Sequence, residues 1–70
     1  MPIILAPINE EVTIVRVIAE EKTKKHLESL GISNGRKVVV LQVSNGNVIL
    51  LIGNTRLALD KDLANKIFIG

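Results

Sequence analysis

The sequence contains no cysteine, no tryptophan and no tyrosine, and Phe68 is its one aromatic residue. The missing thiols exclude a disulfide, a thiolate metal site and a cysteine nucleophile. The missing aromatics exclude the lined groove that takes proline-rich peptides, and they remove the platforms on which single-stranded nucleic acid stacks its bases. Charge of one sign is also scarce: nine Lys and Arg face seven Asp and Glu, a net charge of +2, and the cations are scattered. No nucleic-acid partner is therefore expected. Long apolar runs are absent too, since none approaches the ~20 residues that span a bilayer. The apolar start Met1 to Ala6 lacks a basic leader and breaks at Pro7, so it does not read as a signal peptide. The expectation is a cytoplasmic protein with no direct membrane insertion.

What is present is 70 residues, 47% hydrophobic and 23% charged, which fits a single folded domain over 1–70. A chain this short buries only about 60% of its unfolded surface, so the core must be small. Pro2 and Pro7 bracket a short extended segment expected to pack across one side of that core. Asn9-Glu10-Glu11 turns the chain, and Val12 to Ile18, rich in β-branched residues, predicts the first long strand. Ala19 to Leu30 predicts a helix of about three turns, with Glu20/Lys24 and Glu21/Lys25 paired i to i+4. No good capping residue precedes it, which leaves its start open between Ala19 and Thr23. Thr23, His26, Leu27 and Leu30 fall on one face, which is expected to point inward.

Gly31 then supplies the left-handed residue that closes the last turn, with Ile32 folding back against Leu27. Asn34-Gly35 makes a second reversal, because both residues tolerate positive φ. Lys37 to Ser44 is the next strand, Asn45-Gly46 a tight hairpin turn, Asn47 to Ile52 the returning strand, and Gly53-Asn54 a further turn into Thr55 to Leu59. Asp60 can cap one helical turn through Leu63 and Ala64, after which Lys66 to Ile69 closes as a last strand. The fold class that follows is mainly β. It is a small, closed or nearly closed five-stranded barrel, with one α-helix between the first and second long strands and a short helical turn before the last strand.

Catalytic and ligand chemistry find little purchase. His26 is the only histidine, and a stable metal site needs several nitrogen, sulfur or oxygen ligands together. Glu10, Glu11, Glu20, Glu21 and Glu28 are spaced as helix-solvating and turn residues, so His26 is the one metal candidate and a structural role suits it better. Ser29, Ser33 and Ser44 sit at turns and helix ends without a base and an orienting group beside them. Gly31 and Gly35 lack the Lys-Ser or Lys-Thr of a phosphate cradle. No catalytic, cofactor-binding or metal residue is assigned, and an enzyme is not expected.

The pattern Leu27-x-x-Leu30-Gly31-Ile32-x-x-Gly35-x-x-Val38-x-Val40, followed by Arg56-Leu57-Ala58-Leu59 and Ala64-x-x-Ile67, resembles the FeoA family. The resemblance covers nearly the whole chain. It departs from the family pattern at Asn9, often a glycine, at Asn34, commonly a proline, and at the tight Ser44-Asn45-Gly46 hairpin, where a longer loop is usual. It implies an SH3-like barrel without a cofactor that binds the cytosolic part of the FeoB ferrous iron transporter, and so lies in the cytoplasm, peripheral at the inner membrane through that partner.

The family match also places Val38 and Val40 inward. A strand with one covered face should alternate apolar with polar, yet both faces of this hairpin are apolar. Val39, Leu41 and Val43, with Ile49 and Leu51 across the hairpin, are then expected to form an outward patch, and a contiguous patch of this kind marks an interface. With Leu30 and Gly31 at the helix end, these are the candidate contacts for the transporter, or for a second copy of the chain. The competing expectation is that Ile3, Ile4, Leu5 and Ile8, or the helix, cover the patch. Similar domains end the iron-dependent repressors of the diphtheria-toxin-repressor type, which makes a stand-alone metal-responsive regulator the alternative function. The barrel is expected to stand without a DNA-binding or dimerisation region before it, which makes the free-standing family the better match.

Overall fold

The valine- and isoleucine-rich segments become five antiparallel strands in a computed structural model that describes residues 1–70. In chain order the elements are β1 (Glu11–Val17), α1 (Glu21–Ser29), β2 (Lys37–Ser44), β3 (Asn47–Ile52), β4 (Thr55–Leu59), α2 (Lys61–Ala64) and β5 (Ile67–Ile69). The sheet runs β4-β3-β2-β1-β5. Its two outer strands are not paired with each other, so the barrel is open between β4 and β5, and α2 links them in sequence.

The first residues differ from the extended segment expected. Ile3–Leu5 is a 3-10 turn, with the Leu5 amide donating to the Pro2 carbonyl and the Ala6 amide to the Ile3 carbonyl, each at 3.0 Å. Pro2 sits just ahead of the turn with φ −61 and forms a bridge with Phe68. The chain ends are tied together: the Ile69 amide donates to the Met1 carbonyl at 2.7 Å, and the Met1 ammonium donates to the Ile69 carbonyl at 3.1 Å.

α1 starts at Glu21, inside the range left open from Ala19 to Thr23; Glu20 is still extended and contributes no side-chain cap. The helix closes as expected. Gly31, at φ +94, donates to the Glu28 carbonyl and Ile32 donates to the Leu27 carbonyl, both at 2.9 Å. These two bonds form a Schellman motif, and Leu27 and Ile32 are both buried. His26, however, is exposed. The buried stripe centres on Leu27, flanked by half-buried Thr23 and Lys24; at 100° per residue His26 lies outside it.

After the helix, only Gly35 takes positive φ; Asn34 does not. One left-handed residue suffices there because the Gly35 amide reaches the Ile14 carbonyl at 2.6 Å, and the Ile14 amide returns to the Arg36 carbonyl at 2.9 Å. The strand ends of β2, β3 and β4 coincide with the expected ones, and Asn45 (φ 53) with Gly46 (φ 82) gives the two positive φ values of a type I′ turn. Asp60 caps α2, its carboxylate accepting from the Leu63 amide at 2.9 Å. Lys66 belongs to the end of that turn rather than to β5, since its amide donates to the Leu63 carbonyl at 3.1 Å.

A single cluster of 14 buried residues, all hydrophobic, forms the core. Every strand contributes, and Ile3, Ala6, Leu27, Ile32 and Ala64 join from outside the sheet.

Candidate protein-interaction surface

The outer wall of the β2–β3 hairpin follows from its register. Val39 pairs with Leu51 and Val40 with Leu50; the pairing then shifts, so that Gln42 faces Ile49 and Val43 faces Val48. Leu41 is the extra residue of a β-bulge. An inserted residue reverses the alternation beyond it. Val43 therefore turns to the core side, where it packs against the buried cluster, and Gln42 takes the outward position. The expected patch is corrected accordingly: it loses Val43 and retains Val39, Leu41, Ile49 and Leu51, all half-buried.

The register continues this strip sideways. Ala58 stands across from Ile49, Arg56 across from Leu51, and Glu11 across from Val39. At the β1 side Glu11 meets Lys37 at 3.9 Å, with both side chains about two-thirds exposed, which makes a charged rim of little energetic weight. The N-terminal segment reaches β2 through the Asn9 amide, which donates to the Val40 carbonyl at 2.8 Å. Its 3-10 turn packs on β5, Ile3 enters the core, and Leu5 and Ile8 remain 63% and 45% exposed.

Leu30 and Gly31 belong to a different feature. With Ser29, Arg36, Ile52, Thr55 and Leu57 they line an open recess of about 410 Å³ between the end of α1, the start of β2 and the β3–β4 turn. Leu30, Ile52 and Leu57 supply its apolar part. The Arg36 guanidinium lies between two glycines: a Cβ on Gly31 would stand 3.9 Å from Nη1 and one on Gly53 3.7 Å from Nη2. Sequence reasoning missed Arg36, Thr55 and Leu57, and the one hint of Arg36 was its place directly after the left-handed Gly35.

The Ser29 hydroxyl donates to the His26 carbonyl at 2.5 Å, a local helix-end bond. No group of three His, Asp or Glu side chains that could hold a metal ion comes together. No helix is long and apolar enough to cross a membrane.

The model of the FeoA domain family matches the whole chain, residues 1–70. No curated protein sequence matches it significantly. Among solved structures it is similar to an iron uptake regulatory protein (FeoA), with TM-score 0.88 and 21% identity over 99% of this chain and 93% of that one. It is similar also to Stenotrophomonas maltophilia FeoA complexed with zinc, described as a procaryotic SH3 domain protein, with TM-score 0.81 and 20% identity over 100% and 89% of the two chains. A manganese-dependent transcriptional repressor gives TM-score 0.85 and 19% identity; it covers 99% of this chain, which spans 40% of the repressor. At these identities the likeness establishes the fold, an SH3-like barrel, and the family model establishes the relationship. The chain belongs to the FeoA domain family, a family linked to ferrous iron transport.

Proposed function

We propose that this protein is a small cytosolic accessory protein of bacterial ferrous iron uptake, acting as a protein-interaction module on the cytosolic part of a FeoB transporter. The observation that carries this reading is the outer wall of the β2–β3 hairpin, where Val39, Leu41, Ile49 and Leu51 stand at positions that a solvated barrel strand would give to polar residues. Family membership supplies the partner class. The Stenotrophomonas maltophilia relative is itself described in terms of activating ferrous iron transport. Residues 1–70 act as one unit in this reading, and a membrane association runs through the transporter, with no catalytic step by this chain.

Binding of the purified chain to the cytosolic region of the cognate transporter tests the proposal. The wild type is expected to bind, and a Val39→Lys/Leu41→Lys double variant that keeps its circular dichroism spectrum is expected to lose most of that binding. Full binding by the folded double variant removes the hairpin wall from the interface. The same wall fits self-association, which sedimentation at several concentrations measures.

A second reading, a stand-alone metal-responsive regulator, is favoured by the likeness to the manganese-dependent repressor. Calorimetric titration with manganous, ferrous and zinc ions separates the two. A tight stoichiometric site lost in His26→Ala supports the regulator.

A further inference from the structure

The recess at the end of α1 combines three properties in one place. It has an apolar floor from Leu30, Ile52 and Leu57. It has a cation, the Arg36 guanidinium, that makes no ion pair and no hydrogen bond within the chain: the one salt bridge is between Lys37 and Glu11, and no side-chain bond includes Arg36. It is bordered by β4, the last strand of an open sheet, so one edge of the Thr55–Leu57 backbone faces no strand. A free strand edge accepts an extended segment by backbone pairing, and alternate side chains of that segment then fall into whatever pockets line the edge.

We infer that this recess receives an extended, acid-bearing segment of a partner protein, with an apolar side chain seated against Leu30, Ile52 and Leu57 and a carboxylate on Arg36. The charge argument selects the acid. A guanidinium offers five donors in a planar fork that matches a carboxylate bidentately. The Arg36 guanidinium lies beside Gly31 and Gly53, and neither glycine carries a side chain that would crowd the fork. Ser29 and Thr55 add hydroxyls at the rim. A basic or polyproline segment fits neither the cation nor the lack of aromatic walls. The inference deepens the proposed docking function, and rests on it only for the identity of the protein that supplies the segment.

The test uses the full chain, isotopically labelled, titrated with a blocked pentapeptide of alternating valine and glutamate and with its valine–glutamine twin. The glutamate peptide is expected to shift the amides of Gly31, Gly53, Thr55 and Leu57, and to bind about tenfold more tightly than the twin, the size of one charge-assisted pair. Arg36→Gln is expected to abolish that tenfold preference, while Arg36→Lys keeps part of it. Equal binding of the two peptides, shifts confined to Val39, Leu41, Ile49 and Leu51, or an unchanged preference in Arg36→Gln each overturns the inference. Binding of the transporter's cytosolic region is measured beside it. A recess that prefers the glutamate peptide in a chain that does not bind the transporter upholds the inference and refutes the proposed partner. Transporter binding without any peptide preference does the reverse.

Discussion

Gly46 and Lys61 are in contact across the molecule: a Cβ built on Gly46 would stand 2.9 Å from the Lys61 Cβ. The neighbouring Lys61 amide donates to the Asn47 side-chain oxygen at 3.0 Å. The tip of the β2–β3 hairpin is thus docked on the start of α2, the element that connects β4 to β5. The turn that looked purely local in sequence also fastens the hairpin to the far end of the sheet.

This contact separates two glycines that share a backbone conformation. Gly46 and Gly35 both have φ above +80, but a Cβ on Gly35 meets nothing within 4 Å. Alanine at either position costs about 1 kcal/mol for the left-handed backbone. Gly46→Ala must also displace α2, so its loss in urea unfolding is expected to reach about 2–3 kcal/mol. Equal losses for the two variants would show that the hairpin tip is not held against α2.

Asp60 is the only residue whose side chain caps a helix here. Asp60→Ala should destabilise the protein by about 1 kcal/mol, and Asp60→Asn by less, because asparagine offers the same acceptor. Chemical denaturation of the three proteins measures the difference. An alanine variant as stable as the wild type would mean that packing of Leu63 and Ala64 holds α2 without its cap.

Neighbouring leucines of β3 should behave in opposite ways. Leu50 is fully buried and Leu51 half-buried on the outer wall. Leu50→Ala is expected to cost about 2–5 kcal/mol, a large share of the stability of a domain this small. Leu51→Ala should cost under about 1 kcal/mol while weakening transporter binding. Thermal unfolding together with the binding assay distinguishes core from contact residue; a Leu51→Ala variant as destabilised as Leu50→Ala would place that wall in the core.

The Glu11 to Lys37 pair joins two well-exposed side chains at 3.9 Å. A double-mutant cycle with alanine should return a coupling below about 0.5 kcal/mol, smaller still at high salt. A coupling above 1 kcal/mol would show that the rim of the hairpin wall is more ordered than its exposure implies.

Much of the fold was legible because it rests on local chemistry. Asn45-Gly46 and Gly53-Asn54 each connect strands whose ends were placed to the residue, and Gly31 closes α1 through bonds from its own amide and that of Ile32. The family pattern was legible as well, and the whole-chain match to the FeoA domain bears it out. The 3-10 turn was not, since a proline-bracketed apolar segment suits an extended path equally well. His26 was placed inward because four residues at helical spacing leave the centre of the buried stripe undetermined. Of the candidate site, Val39, Leu41, Ile49 and Leu51 were named from alternation and the family match, whereas Arg36, Thr55 and Leu57 were not singled out as contacts.

By itself the sequence determined which segments become strands, where they reverse and how the helix ends, because β-branching, left-handed glycines and capping act within a few residues. It also determined that this hairpin has too many apolar residues for one covered face. The tertiary structure decided which of them point outward. In the apolar run Val38–Leu41 neither face is marked, so a single bulged residue, Leu41, was enough to send Val43 inward and bring Gln42 to the surface. It also decided the recess, where a helix end and the glycine-flanked arginine that soon follows it meet an edge strand from much later in the chain, only once the sheet has curled.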